Sequence, residues 1–170
     1  MHSLTFVYSF YDIIGLMNKL FITKNAEETR KFAEDFAKKI LKIKYKKAVI
    51  IGLIGELGSG KTVFAQGFAR GLGIKENIVS PTFVLMRIYA LRVLHYARFI
   101  HIDAYRFKKA KELSDLGFKD LARDSRNIIL IEWADKVRRI LPKNHIEIKF
   151  GHISDNKRKI TIGRLSDCDK

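Results

Sequence analysis

The chain has 170 residues, 47% of them apolar, and a formal net charge of +15. This length suits one domain with a sizeable core, and the apolar content excludes a disordered chain. The single cysteine, Cys168, excludes an internal disulfide framework, and no Cys/His zinc spacing is present, so a reducing cytoplasm is the expected location. The charge favours RNA, DNA, acidic proteins or anionic lipid as partners, although a general lysine bias explains it equally well.

The first sixteen residues are apolar and aromatic, with an interruption at Asp12. The run is too short to span a bilayer, and it lacks the basic start and the cleavage site of a signal peptide. No membrane association is therefore expected. We expect residues 1–16 to be an extension, either a start-site overrun or a poorly ordered tail. A domain at 17–163 and a C-terminal tail at 164–170 follow.

The most informative stretch is Gly55–Thr62, which reads Gly-Glu-Leu-Gly-Ser-Gly-Lys-Thr and fits the P-loop pattern G-x-x-x-x-G-K-[ST]. An apolar run at 48–54 precedes it and a helix-like segment at 63–70 follows. The glycines let successive N–H groups point at an anion, and the helix N-terminus adds partial positive charge. The pattern predicts that Lys61 reaches the β- and γ-phosphates and that the Thr62 hydroxyl binds Mg²⁺. A chance glycine-rich turn is the alternative, which the flanking strand and helix disfavour.

Three polar residues lie beside apolar segments further along the chain. Thr82, in Ser-Pro-Thr-Phe at 80–83, precedes a predicted strand at 83–88, and a loop here commonly faces the γ-phosphate. A plain turn is equally compatible with that pattern. Asp103 and Glu132 end predicted strands, which suits a carboxylate that binds Mg²⁺ or orients water. A satisfied turn aspartate is the alternative for Asp103.

The remaining pattern predicts a three-layer α/β fold with a mixed, mainly parallel sheet and the P-loop at a strand's carboxyl end. Asn25 and Glu28 predict the start of a helix with a capping box. Further predicted elements are a hairpin at 89–99, a short helix at 109–116 stopped by Gly117, a buried parallel strand at 127–132, and antiparallel edge strands from 18–24 and 145–162.

The order and spacing of these motifs resemble the bacterial TsaE (YjeE) family of P-loop ATPases, which act in making N6-threonylcarbamoyladenosine on tRNA. The resemblance covers about residues 20–162. The stretches that carry it are the P-loop at 55–62, Ser-Pro-Thr-Phe at 80–83, His-Ile-Asp-Ala-Tyr-Arg at 101–106, residues 112–121, and Ile-Glu-Trp-Ala at 131–134. The P-loop alone is generic, whereas the combination is specific.

The resemblance implies an ATP hydrolase that uses ATP and Mg²⁺. The nucleotide-binding residues that it implies are Glu56, Leu57, Gly58, Ser59, Gly60, Lys61, Thr62, Val63 and Trp133. Thr82 would lie in the loop that senses the γ-phosphate. The metal-site residues that it implies are Thr62, Asp103 and Glu132. The catalytic residues that it implies are Lys61, Thr82, Asp103 and Glu132. Which of the two acids touches the metal stays open.

The resemblance also implies partners, the TsaB and TsaD proteins. In the family, TsaD transfers the threonylcarbamoyl group to adenosine 37 of tRNAs that read ANN codons, and the ATPase supports that assembly. The sequence departs from the family pattern at Arg87, where relatives usually carry an acid, and in a longer, more basic hairpin. Arg87, Arg92 and Arg98 in region 87–98 therefore suggest the hypothesis of direct tRNA contact.

Other classes of protein fit the sequence less well. A small-molecule or nucleotide kinase is the main alternative, but no lid segment with clustered arginines is evident. A GTPase would need an N-K-x-D motif, and Asn156-Lys157-Arg158-Lys159 lacks the aspartate. A non-enzymatic RNA-binding protein would show an RNA-binding signature, and none is apparent.

Overall fold

A computed structural model describes residues 15–16, 18–93 and 95–164. The strands in this part of the chain are β1 (Leu20–Thr23), β2 (Val49–Ile54), β3 (Met86–Val93), β4 (Tyr96–Asp103), β5 (Asn127–Glu132), β6 (Ile146–His152) and β7 (Arg158–Arg164). The helices are α1 (Ala26–Leu41), α2 (Lys61–Gly71), α3 (Lys111–Asp115), α4 (Phe118–Arg123) and a 3₁₀ helix at Ala134–Ile140. The predicted extension lies outside the described residues except for 15–16, and so does the predicted tail except for Arg164.

The strands form one sheet in the order β1-β7-β6-β2-β5-β4-β3. β6, β2, β5 and β4 run parallel to one another in its centre, while β3, β7 and β1 pair antiparallel to their neighbours. This arrangement confirms the predicted α/β class and mixed sheet. The carboxyl ends of β2, β5 and β4 meet at one edge, which is where ligands bind in open α/β sheets.

Segment 145–162 forms the predicted antiparallel pair, β6 with β7, but the prediction that both are edge strands was wrong for β6. β6 lies in the interior beside β2, with Gly52 opposite Glu147. The Glu147 carboxylate of β6 is buried and accepts a hydrogen bond from Arg138 of the 3₁₀ helix at 2.9 Å. The buried acid of this interior strand therefore has a charged partner.

Helices cover both faces of the sheet, as the three-layer prediction required. α1 and α2 pack on one face through an aromatic-rich core that includes Phe36, Phe64 and Phe68. The shorter helices cover the other face through residues such as Phe118 and Val137. Among the described residues, no helix has the length and apolar character needed to cross a bilayer.

The packing of α1 on α2 depends on a close approach at Gly67. A Cβ atom at this position would lie 2.6 Å from the Arg30 Cα atom, well inside contact distance. Arg70 of α2 bonds Glu34 of α1 at the rim of the same contact, with Nε 2.7 Å from the carboxylate. Lys38 and Arg70 lower the pKa of Glu34 to about 2. The two helices are therefore joined by apolar contact and by charge.

Element boundaries differ from prediction mainly around Pro81. The predicted strand at 83–88 begins only at Met86, because the Pro81 carbonyl accepts the N–H groups of Val84 and Leu85 and closes a turn. The hairpin predicted at 89–99 is formed by β3 and β4. Helix α4 and the 3₁₀ helix were not predicted. α1 begins as expected: the Asn25 side chain accepts from the Glu28 N–H, although the Glu28 carboxylate accepts from Lys24.

Candidate active site

The P-loop connects the carboxyl end of β2 to the first residue of α2. Gly58 and Gly60 have φ angles of 74° and 103°, in the left-handed region that side chains disfavour. Gly60 directly precedes α2, so its conformation turns the chain into the helix. A Cβ at Gly58 would meet no atom within 4 Å. The backbone conformation, not crowding, therefore calls for glycine there, and the loop stays open on that side.

The Lys61 side chain is buried and folds back onto the loop. Its Nζ donates hydrogen bonds to the carbonyls of Gly55 at 2.6 Å and Glu56 at 2.7 Å. It also lies 3.8 Å from the centroid of the Trp133 ring. Burial lowers the pKa of Lys61, while nearby carboxylates, first among them Glu132, favour its charged form. A phosphate oxygen entering the loop would compete with these carbonyls for the ammonium group.

Glu132 ends β5 directly beside the P-loop strand, with Leu53 of β2 opposite it. Its Oε2 accepts a hydrogen bond from the Thr62 hydroxyl at 2.8 Å. Its Oε1 lies 2.9 Å from Nε2 of His101, a wholly buried side chain on β4. Two residues predicted to bind metal are thus in contact, and the carboxylate is held from both sides.

Asp103 ends β4, opposite Glu132. Its Oδ2 accepts hydrogen bonds from the hydroxyls of Ser80 at 2.5 Å and Thr82 at 2.6 Å. Its Oδ1 accepts from the Tyr105 N–H at 2.8 Å. The loop predicted to sense the γ-phosphate is therefore fastened to the second acid of the site.

Trp133 follows Glu132 with a left-handed backbone, φ 60°. Its ring packs against Tyr105 with a centroid separation of 5.1 Å. Lys136 in turn donates to the Tyr105 carbonyl. The two rings form one wall beside Lys61.

These residues surround a cleft of about 370 Å³. The predicted site residues that line it are Leu57, Gly58, Ser59, Gly60, Lys61, Thr62, Val63, Thr82, Asp103, Glu132 and Trp133. Glu56, which was also predicted, does not line the cleft. Its backbone carbonyl accepts a hydrogen bond from Lys61 Nζ. The sheet topology thus brings together side chains from four separated stretches of the chain.

The oxygen donors in the cleft suit Mg²⁺. Thr62 and Glu132 supply a hydroxyl and a carboxylate within 2.8 Å of each other, and Asp103 adds a second carboxylate nearby on the adjacent strand. Among the described residues, no group of three or more His, Cys, Asp or Glu side chains could hold a metal ion alone. Mg²⁺ fits such a site because it retains waters and takes further ligands from substrate phosphates.

Four residues with contacts at the site had no role predicted from the sequence: Ser80, His101, Tyr105 and Arg158. The first three contact Asp103 or Glu132, as described above. Arg158, at the start of β7, donates to the Gly58 carbonyl at 3.3 Å. The signal for His101 was present in the sequence, because residues two apart on a strand share a face, and Asp103 lies two residues later.

The predicted tRNA-contact region has one arginine with internal partners. Arg98 donates to Asp124 at 2.8 Å and to the Asn127 side chain at 2.9 Å. Arg126 first, and then Arg98, lower the pKa of Asp124 to about 2. Arg87 and Arg92 are exposed on β3. Of the three arginines, these two are better placed to meet a partner.

Most of the chain matches one known protein family. Residues 23–160 match the family model described as "Threonylcarbamoyl adenosine biosynthesis protein TsaE". The chain belongs to the TsaE family. The match includes every residue predicted for the site, and it begins after the predicted extension at 1–16. The resemblance seen in the sequence motifs is therefore confirmed.

Individual TsaE relatives align over most of the chain. The protein named "tRNA threonylcarbamoyladenosine biosynthesis protein TsaE" in Bacillus subtilis is 35% identical over 140 residues, which is 82% of each chain. Its namesake in Treponema pallidum is 35% identical over 113 residues, 66% of this chain and 80% of that one. The crystal structure of Bacillus subtilis YdiB superposes with a TM-score of 0.69 at 29% identity, covering 88% of this chain and 87% of YdiB.

Proposed function

We propose that the protein is an ATPase that supports formation of N6-threonylcarbamoyladenosine at position 37 of tRNAs reading ANN codons, together with a TsaB–TsaD pair. The observation that carries this proposal is the convergence of Lys61, Thr62, Asp103 and Glu132 on one cleft at the mouth of a P-loop. Membership of the TsaE family supports a role in threonylcarbamoyladenosine biosynthesis.

In this proposal the glycine loop and the N-terminus of α2 hold the ATP phosphates. Left-handed glycines and the helix start supply N–H groups and partial positive charge to an anion. Lys61 would exchange its contacts with the Gly55 and Glu56 carbonyls for the β- and γ-phosphate oxygens. Those carbonyls lie in the loop that would hold the phosphates. The Lys61 side chain therefore needs to move only within the site.

Glu132 and Thr62 are the best-placed metal ligands, because they already share a hydrogen bond. Mg²⁺, when bound there, would neutralise charge on the transferred phosphoryl group. Asp103 has a different role in the proposal, since its oxygens accept from Ser80, Thr82 and Tyr105. It fixes the loop at 80–82 and, with Glu132, orients the attacking water.

The proposal includes dependence on a partner, and the residues that line the cleft support this expectation. Among the residues described as lining it, none is an arginine. In P-loop GTPases, an arginine supplied by a partner stabilises charge in the transition state and raises the hydrolysis rate by roughly 10³–10⁵. Exposed apolar side chains, including Leu57 and Phe83, flank the site and offer a surface for such a partner.

The test is ATP hydrolysis by the purified protein, alone and with a TsaB–TsaD pair. We expect slow turnover alone and a large rise with the pair, abolished by Lys61→Ala. Lys31→Ala, which changes an exposed lysine of α1, serves as the matched control and should retain the response. Fast turnover that is indifferent to the pair would contradict the proposal and favour a kinase, for which a phosphate acceptor would then be sought.

A further inference from the structure

We propose that His101 is a positioning residue, which holds the Glu132 carboxylate so that its second oxygen faces Thr62 and the P-loop. This inference rests on the proposed function, because the orientation of Glu132 matters only if Glu132 serves the metal or the attacking water. The sequence alone predicts no role for His101 beyond its place in the motif at 101–106.

The contact is a diagonal pair across two parallel strands. His101 lies opposite Leu130 in the β4–β5 register, so its ring reaches Glu132 two residues further along β5. Nε2 and Oε1 are 2.9 Å apart, and both side chains are at most 2% exposed. Phe99 lies against the imidazole, with a centroid distance of 6.1 Å and an interplanar angle of 20°. Packing therefore fixes the ring that in turn fixes the carboxylate.

The other ring nitrogen of His101 is expected to lower the stability of the folded protein. His101 Nδ1 is buried without a hydrogen-bond partner among the described residues. An unpaired buried polar atom is unfavourable, and an apolar side chain of similar size would avoid it. A carboxylate oxygen accepts hydrogen bonds, so the Nε2–H tautomer pairs with Glu132 and leaves Nδ1 as an acceptor with no partner among the described residues. We therefore expect His101 to stabilise the fold less than an apolar side chain of similar size would, while it supplies one N–H group directed at Glu132.

The arrangement becomes important when a nucleotide binds. Glu132 has two side-chain partners in the described structure, Thr62 on Oε2 and His101 on Oε1. When Thr62 turns its hydroxyl oxygen to a ligand, His101 is the partner that keeps the carboxylate in place. Outer partners of this kind commonly orient metal-binding carboxylates, and their loss costs about ten- to a hundredfold in metal affinity or activity.

The experiment measures the Mg²⁺-dependent gain in affinity for a fluorescent ADP analogue, titrated with Mg²⁺ and with EDTA. His101→Met removes the donor at similar size and should reduce this gain by about tenfold or more, leaving affinity in EDTA unchanged. His101→Gln retains an N–H at the corresponding reach and should restore most of the gain. His145→Met is the matched control. Like His101, His145 is buried, and its Nε2 has no hydrogen-bond partner among the described residues, although it lies 3.9 Å from a Glu147 oxygen. His145 directly precedes β6 and does not line the cleft.

A purely structural role predicts a different result. It would lower the unfolding temperature of His101→Met and His145→Met alike and leave the Mg²⁺-dependent gain intact in both, which would overturn the proposal. Equal loss of the gain in His101→Met and His101→Gln would also overturn it.

Nitrogen NMR of labelled histidine in the native chain separates this proposal from the proposed function. If the native chain binds no ADP, the proposed function fails. His101 is then judged by its ring protons alone. An Nε2 proton whose resonance moves in Glu132→Gln supports the positioning contact, and a ring protonated on Nδ1 alone overturns it.

Discussion

At the scale of single residues, the two acids of the cleft are distinguished by their partners. Glu132 is bonded to Thr62 of the P-loop, whereas Asp103 receives the hydroxyls of Ser80 and Thr82. Sequence patterns could not separate them, because both simply end an apolar strand. In the proposed function, these hydrogen bonds favour Glu132 as the metal ligand and Asp103 as the residue that fixes the loop at 80–82.

This difference predicts different defects for two isosteric substitutions. Glu132→Gln should lose at least about tenfold of the Mg²⁺-dependent gain in ADP affinity, since even an outer partner of a metal ligand is worth that much. Asp103→Asn should keep most of the gain and instead lose ATP turnover with the TsaB–TsaD pair. Fluorescence titration and turnover assays measure the two effects, with exposed Asp115→Asn as control. A larger loss of Mg²⁺ dependence in Asp103→Asn would reverse the assignment.

At the scale of elements, the site depends on how closely α2 lies on α1, since α2 carries Lys61 and Thr62. Gly67 allows that approach, and the Arg70–Glu34 pair closes its rim. An exposed helical glycine would be a weak point, because alanine is the better helix former by about 1 kcal/mol. At Gly67 the neighbouring backbone of Arg30 reverses that preference.

Gly67→Ala should therefore destabilise the protein by about 1–3 kcal/mol, the usual range for overpacking a tight contact. Urea unfolding followed by circular dichroism measures this change. Gly71→Ala should act in the same direction, because a Cβ there would lie 2.5 Å from the Glu34 carbonyl oxygen. A stability gain in Gly67→Ala would mean that helix propensity outweighs the contact and that α1 can move away.

Local signals in the sequence predicted the elements that carry the P-loop. β2 precedes the loop and α2 follows it as expected, and the neighbouring strand β5 occupies the predicted 127–132. Contacts that depend on strand register were not predictable from one sequence. To predict the burial of Glu147, one must know that β6 pairs with β2. To predict the His101–Glu132 contact, one must know that β4 pairs with β5. Both are long-range pairings that no local pattern encodes.

At the scale of the whole molecule, the net charge of +15 includes arginines with different surroundings. Arg98 and Arg126 share Asp124, so both have an internal partner. Arg87 and Arg92 project from the edge strand β3 and are exposed. Direct contact with tRNA through region 87–98 remains a proposal that concerns these two arginines first.

Charge reversal tests that proposal in the assembled complex. Arg87→Glu with Arg92→Glu should weaken tRNA association at low salt and reduce the salt dependence by roughly one unit for each phosphate that is no longer bound. Arg123→Glu with Arg139→Glu changes two other exposed arginines and serves as control. Binding isotherms at several salt concentrations provide the slope. Equal effects of both pairs would attribute tRNA association to general charge and would refute a specific role for the hairpin.

The contact between Lys61 and Trp133 gives the protein an optical reporter. Trp133 is the single tryptophan of the chain, so all indole emission originates at the cleft wall. The ammonium group 3.8 Å from its ring perturbs the excited state, and its departure toward a phosphate would alter intensity and wavelength. Stopped-flow mixing of the unlabelled protein with nucleotide would thus time the movement of one side chain.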